Sequence, residues 1–563
     1  MKKTFVFTVL LISLMVVFSF GQQFVDIFKP EANVKYGGTL KLVMPWGPLT
    51  FNLNPFLPQG VHLGIIPELY EPLFYINSLN GNTTPILGTN YKWEDNNLKL
   101  VVSVRQGVKW SDGQPFTAQD VAFTFNYLKK YPALDNSGIW SSVNNLQSVV
   151  ASGDTVVFTF SKPNTPLFYY IAGILITPEH IWSNITNPAT YTNPNPVVTG
   201  PFLFKSFTSP DQVVAVKNPN YWMKGRPYID QIVMQSVNSN TTALLYMIKH
   251  DYDVSYLFIP DPQKAWVEKD PELNHIWWPT NNVNILYLNT LKFPFNNPSF
   301  RKAISMAIDR NLLEKTAYFG TGGYDVSPTG IIPSQQKEWL DPTLTSLAAS
   351  LVTYNPKAAQ QLLASIGFVK NSAGQLCDPD GKPLPTFKIL VGAGWTDFIS
   401  MAQVISQELQ EIGISTTIDQ EPWNTYISSV MTGTYDMVIC WGTGTGPSPY
   451  YLYYQEFNPA FSASKIGETA VSDYSRYTNP LITAALEVFA SSSDLNIQKQ
   501  AIYTIERIVL QDVPFVVLTN RTNFFDYSTA HFVGWPSESN PYASGGNFDG
   551  PDGLPMSLII HLK

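Results

Sequence analysis

The chain has 563 residues, more than one hydrophobic core usually serves, so two or three lobes are expected. Its formal charge is −8 and its 35 Lys and Arg form no cluster, which argues against nucleic acid and anionic membrane as partners. Charged residues are only 14% of the chain against roughly 25% in ordinary soluble domains, and aromatic residues match them at 14%. The surface therefore relies on neutral hydrogen-bonding groups, a composition suited to a neutral, polyhydroxylated ligand.

Met1-Lys2-Lys3 opens a basic segment, followed by a mostly apolar run from Phe5 to Phe20. Ser19-Phe20-Gly21 places small residues at both positions of a cleavage site, so 1–21 reads as a signal peptide and the mature chain as starting at Gln22. Removing those residues takes away two lysines and no acid, and the charge becomes −10. An uncleaved membrane anchor is the competing reading, because the run approaches spanning length. No cysteine stands at the junction to carry a lipid; the chain has only Cys377 and Cys440, read as two free thiols rather than a disulfide.

Leu40, Leu42 and Met44 alternate as a half-buried strand, which Pro45-Trp46-Gly47-Pro48 turns into a loop. Leu98 to Val104 alternates again, and after the Ser111-Asp112-Gly113 turn Thr117 and Asp120 form the capping pattern of a helix that buries Val121, Phe125 and Leu128. Further strands are expected at Val156 to Phe160 and Val213 to Val216. In the second half, Asn355-Pro356 starts a helix that Gly367 ends. Strand Phe387 to Val391, a helix through Met401 and Leu409, strand Ser415 to Ile418, a helix from Trp423 to Met431 and strand Asp436 to Cys440 follow. This alternation predicts an α/β lobe with a parallel, helix-covered sheet. Ligands of such sheets sit beyond the carboxyl ends of the strands. Trp395 and Trp441 fall at two such ends, and Trp46 at the equivalent place after the first strand.

Several segments resemble the peptide, nickel and oligosaccharide receptors of ABC importers, the family 5 extracellular solute-binding proteins. They are Gly37-Gly38-Thr39-Leu40, Leu53-Asn54-Pro55, Tyr70-Glu71-Pro72-Leu73, Trp110 to Val121, Thr199-Gly200-Pro201-Phe202, Asn218-Pro219-Asn220-Tyr221-Trp222, Tyr287-Leu288-Asn289, Arg301-Lys302-Ala303, Ala307-Ile308-Asp309-Arg310, Asn355-Pro356 and Tyr435-Asp436. Each is weak alone; their order along the chain is specific. The resemblance implies a type II periplasmic-binding-protein fold of α/β class, with two lobes joined by a hinge and an extra domain inserted in lobe one. On that pattern lobe one comprises 22–70, 190–283 and 512–563, the inserted domain 71–189, and lobe two 284–511. It further implies a monomeric, periplasmic, non-enzymatic receptor that closes on its ligand and delivers it to permease subunits.

The chain departs from the peptide-binding relatives at Trp441-Gly442-Thr443-Gly444. In those relatives the third residue after the tryptophan is often an aspartate that pairs with the peptide's terminal amine. Here it is Gly444, and no acid occurs between Asp436 and Glu456. A bound ammonium without a countercharge is strongly disfavoured, so the ligand is expected to be a neutral oligosaccharide, a β-linked disaccharide or slightly longer. Sugars offer apolar C–H faces to indoles, and hydroxyls to amides and carboxylates. Trp46, Trp395 and Trp441 are the stacking candidates, each against the alternative of core packing. Trp423 matches a family tryptophan that is present whether or not sugar is bound, and of Trp277-Trp278 at most one, taken as Trp278, should face the cleft. Asn52, Asn54, Tyr287 and Asn289 complete the candidate set, with turn capping or sheet packing as their other reading. Asn238 and Asn240 read as helix caps.

The glycine-rich run Gly442 to Gly446 lacks nucleotide-binding spacing, Asp378 to Gly381 reads as a turn, and the six histidines show no metal-ligand spacing, so no metal or cofactor is expected. Two other functions remain open at this level: a peptide receptor of the same fold, revived if an acid such as Glu421 reached the cleft, and a secreted glycoside hydrolase, which needs two facing carboxyls.

Overall fold

The computed structural model describes residues 24–29, 33–57, 63–548 and 550–563; the expected signal peptide lies outside them. Two large sheets dominate. The first has seven strands in the order Asn274–Trp277, Phe525–Ser528, Val254–Ser255, Thr39–Met44, Gln231–Ser236, Gln212–Lys217 and Phe202–Thr208. Its centre, Thr39–Met44, runs parallel to both neighbours. Leu40, Leu42 and Met44 are buried and Lys41 is exposed, as the alternation predicts, but Val43 is buried too, in a second core with Ala243, Met247 and Leu257, so the strand is covered on both faces rather than half-buried.

The second sheet has five strands in the order Thr416–Glu421, Phe387–Gly392, Met437–Trp441, Thr280–Leu288 and Phe515–Thr522. Period-two alternation serves two cores at once. Leu286, Ile389, Val391, Met437 and Ile439 face one side, and Ile285, Tyr287, Leu390, Val438 and Cys440 the other. Helices Pro298–Met306 and Thr396–Glu411 contribute to the first core, whereas Tyr450–Phe457, Pro480–Ser491 and Leu495–Asp512 contribute to the second.

This sheet is mixed rather than wholly parallel. The first three strands are parallel, but Thr280–Leu288 is antiparallel to both its neighbours. The reason is topological: Thr280–Leu288 and Phe515–Thr522 are extensions of the two segments by which the chain passes between sheets. The passages lie at Trp278-Pro279 and Asn523-Phe524, not near 284 and 512, and the two meet where Asn523 N–H donates to the Pro279 carbonyl at 2.9 Å.

Within 71–189 a four-stranded antiparallel sheet, Gly88–Glu94, Lys99–Val104, Thr155–Phe160 and Leu146–Ser152, packs under helix Ala118–Lys130. That helix carries the expected capping box: Thr117 Oγ1 accepts from Gln119 N–H, and Asp120 Oδ2 accepts from Thr117 N–H at 2.9 Å. Asn355 caps Pro356–Ser365, and Gly367, at φ +89°, leaves that helix in the left-handed region that favours glycine. Cys377 and Cys440 are buried free thiols, as expected.

Candidate ligand-binding site

A cavity of about 560 Å³ lies between the two sheets, within the range of small-molecule sites. Its second-sheet wall follows directly from topology. Three neighbouring parallel strands end side by side, and a tryptophan stands at or just beyond each end. Trp423 follows Thr416–Glu421 and starts a helix, Trp395 follows Phe387–Gly392 and precedes helix Thr396–Glu411, and Trp441 is the last residue of Met437–Trp441. Their rings form a cluster: Trp395 lies 5.7 Å from Trp423 and 6.1 Å from Trp441, and Trp423 and Trp441 are nearly parallel, with centroids 6.2 Å apart and planes at 16°. Trp46 contributes from the opposite sheet, beyond the end of Thr39–Met44. All four indoles are half-buried and line the cavity.

The other five sequence candidates do not line it. Asn54 is fully buried, its amide donating to the carbonyls of Pro188 and Tyr191 and its Oδ1 accepting from Phe56 N–H, so it fastens a loop. Asn52 Oδ1 accepts from Asn54 N–H in a turn. Asn289 is buried and donates to the carbonyls of Gly433 and Tyr435. Tyr287 lies beneath the cavity wall, donating to Glu456 Oε1 at 2.6 Å. Trp278 donates to Asp526 Oδ1 at 3.0 Å and packs on Phe258 and Phe524 beside the passage between sheets. Trp277 does not face the cavity either; it packs against Gly545. The cause differs: Asn52 and Asn54 are taken up by loop hydrogen bonds, whereas for the residues on or beside strands parity does not say which side chains their neighbours cover.

Sequence reasoning missed the polar lining. Asn240, Asn281, Asn282, Asn424, Asn523 and Asn547 all border the cavity, as do Thr50 and Thr445. Asn240 is not the helix cap; Ser239 is, accepting from Thr242 N–H, which leaves the Asn240 amide to reach Thr396 Oγ1 across the cleft at 3.4 Å. Among the described residues the charged ones that line the cavity are Asp397, Asp552 and Arg521. Burial pushes the Asp397 carboxyl up to about 6, opposed by the nearby Arg521 guanidinium. Burial raises Asp552 as well, against hydrogen bonds from Ser544, Tyr75 and Gly546. Arg521 lies over the rings of Phe524, Trp441 and Phe398 at 5.1, 5.5 and 6.0 Å, and its Nη1 donates to Asn284 Oδ1 at 3.3 Å. Glu421, the acid that sequence reasoning considered for the cleft, is not a lining residue.

The loop after Trp441 explains the missing aspartate in physical terms. A Cβ on Gly444 would lie 2.1 Å from the carbonyl oxygen of Tyr451, so the loop is packed on helix Tyr450–Phe457 too closely for any side chain there. Glu456 of that helix holds the loop from behind: its Oε1 accepts from Thr443 N–H, Thr443 Oγ1 and Tyr287 O–H. Burial pushes the Glu456 carboxyl up to about 8.

Residues 82–463, more than half the chain, match the family described as bacterial extracellular solute-binding proteins, family 5 Middle. The chain belongs to that family. It is therefore a solute-binding receptor of an ABC importer, of a family that works with permease subunits and binds ligand without transforming it. The crystal structure of a periplasmic oligopeptide-binding protein of an oligopeptide ABC transporter from Thermotoga maritima, with mannohexaose bound, superposes with a TM-score of 0.86 at 28% identity, covering 95% of this chain and 100% of that one. The oligopeptide-binding protein AppA of Bacillus subtilis is 25% identical over 385 residues, 65% of this chain and 67% of AppA. The glutathione-binding protein GsiB of Salmonella typhi is 22% identical over 485 residues, 83% of this chain and 85% of GsiB. The α/β two-lobed fold implied by the sequence motifs is that of these family 5 structures. Among the described residues no helix is long and apolar enough to cross a membrane, and no group of His, Cys, Asp and Glu could hold a metal ion.

Proposed function

We propose that this family 5 receptor captures a neutral oligosaccharide in the cavity between its sheets. The observation that carries the reading is the cluster of Trp395, Trp423 and Trp441 at three adjacent strand ends, facing a lining whose hydrogen-bonding groups are mainly amides and hydroxyls. Indole faces suit the C–H faces of pyranose rings, and amides suit their hydroxyls. The mannohexaose in the Thermotoga maritima structure supports the same reading. Trp46, Trp395, Trp423 and Trp441 are the proposed ligand-contacting indoles; Asn52, Asn54, Trp278, Tyr287 and Asn289 are assigned to loops and sheets that support them. Closure would turn about the two passages at Trp278-Pro279 and Asn523-Phe524, the closed form being the one that ligand favours and the permease receives. Export to the periplasm by the expected leader completes the proposal.

A peptide receptor is the second reading, favoured by relatives named for oligopeptides and by the Asp397 carboxyl in the cavity. Thermal shift and tryptophan fluorescence of the mature protein against cellobiose, laminaribiose, mannobiose, xylobiose and a mixed dipeptide pool separate the two. Saturable binding of a sugar, without turnover, is expected. Response to the peptides with silence toward every sugar would overturn the proposal.

A further inference from the structure

Among the described residues two carboxylates and one guanidinium line the cavity, and they are not equivalent. Asp552 is occupied by the protein: Oδ1 accepts from Tyr75 O–H at 2.6 Å, while Oδ2 accepts from Ser544 N–H at 3.0 Å, Gly546 N–H at 2.7 Å and the Ser544 hydroxyl. A carboxylate offers about four lone-pair sites, so little of Asp552 is left for a ligand. Asp397 stands on the other wall, in the first turn of Thr396–Glu411, where Arg521 and the backbone N–H groups of that turn favour its charged form against burial. Arg521 carries five N–H donors in a fixed fork, of which Nη1 is given to Asn284. It is the only Lys or Arg lining the cavity among the described residues, and it is framed by the rings of Phe524, Trp441 and Phe398.

We propose that Asp397 and Arg521 act together as the specificity-determining pair of the site, reading two adjacent hydroxyl groups of a sugar ring: the Asp397 carboxylate accepts from one and the Arg521 guanidinium donates to its neighbour. The inference rests on the oligosaccharide reading and deepens it. A vicinal diol can present one hydroxyl as donor and the next as acceptor, so a neutral ligand satisfies both charges without carrying any. The two charges also balance each other, and so the pair does not call for an ionic ligand. Aromatic faces beside Arg521 would hold the ring while the pair reads its rim.

Deoxy sugars, two variants and a pH profile test this. The sugar of the four-member disaccharide panel that binds is retested as its monodeoxy analogues. Loss of about ten- to a hundredfold in affinity is expected at two adjacent ring positions, the range of a hydrogen bond to a charged group. D397N and R521Q should each lose a similar factor toward the parent sugar, and each should abolish the discrimination at one of the two positions. The titratable and charged groups around Asp397 are Arg521, on the strand leading to the second passage, Tyr318, and Asp552 on the opposite wall of the cavity. Because a neutral sugar does not titrate, affinity of the unmodified protein should weaken as the pH is lowered through about 6, and D397N should lessen that fall. Equal tolerance of every deoxy position by the unmodified protein would overturn the pair without need of a variant, as would folded D397N with unchanged affinity and pH profile. Failure of all four sugars to bind, with a response to the dipeptide pool, would instead overturn the function proposed above, and with it this inference.

Discussion

At the scale of single residues, the site separates side chains that meet ligand from those that hold the walls. Trp441 exposes part of its indole to the cavity, whereas the Asn54 amide is buried and fully engaged with loop carbonyls. Trp441→Ala should weaken sugar binding by roughly 2 kcal/mol, about thirtyfold in Kd, as removal of a central aromatic anchor does. Asn54→Ala should leave Kd unchanged and cost about 1–3 kcal/mol of stability, since buried carbonyls lose their donors. Calorimetric titration and denaturant melts on the same two variants read both effects; equal Kd losses would erase the distinction. Gly444 tests the packing of the loop. Ala there would press its Cβ on the Tyr451 carbonyl, and a destabilisation of about 1–3 kcal/mol by overpacking is expected in the melt.

At the scale of elements, helix Tyr450–Phe457 joins parts of the molecule far apart in sequence. One side of it supports the Trp441 loop through Glu456. Another meets the region inserted in lobe one: Tyr451 packs on Tyr169 at 4.5 Å, Tyr454 on Tyr170 at 5.2 Å, and the Asn144 amide donates to the Tyr454 hydroxyl. Thr165 N–H donates to the Ala490 carbonyl at 3.3 Å along the same seam. Opening the cleft at this edge must break these contacts, so ligand affinity includes their free energy. Tyr454→Phe keeps the ring but removes the hydroxyl that accepts from Asn144 and donates toward the Ser137 and Gly138 carbonyls, and should raise Kd at least about fivefold, the equivalent of about 1 kcal/mol, chiefly through faster dissociation. Stopped-flow fluorescence would show it; an unchanged off-rate would mean that the seam stays formed when ligand leaves.

At the scale of the whole molecule, burial of carboxyls shapes the response to pH. Burial pushes Glu456 and Glu506 up to about 8, and Glu71, Glu314 and Glu408 up to about 7. A carboxyl whose folded pKa lies above its unfolded value of about 4.3 binds more protons folded than unfolded. Its stabilising share is full below the unfolded value and is lost as pH rises through the folded one. The melting temperature should therefore fall between about pH 5 and pH 8, and Glu456→Gln, which is neutral at every pH, should lessen that fall. A Tm that climbs over this range, or an E456Q profile parallel to the original, would contradict the assignment.

What the sequence determined by itself was local and periodic. The Thr117 capping box, the Asn355-Pro356 helix start and the buried face of Leu40, Leu42 and Met44 depend on neighbours a few residues away, and each appears where the pattern placed it; that the opposite face is covered as well, at Val43, was not legible. The clustering of Trp395 and Trp441 was also legible, because adjacent parallel strands carry the residues beyond their ends to one edge. Only the tertiary structure decided which polar groups join them. Asp397 and Arg521 lie far apart along the chain, and reach one cavity because the strand leading into the second passage runs back beside the first. Tyr287 and Asn289 lie on or beside a central strand, yet their side chains are spent beneath the cavity wall. Gly444 showed a missing charge in the sequence, but the reason no side chain stands there is the Tyr451 carbonyl, a close approach that exists only once the loop has folded onto its helix.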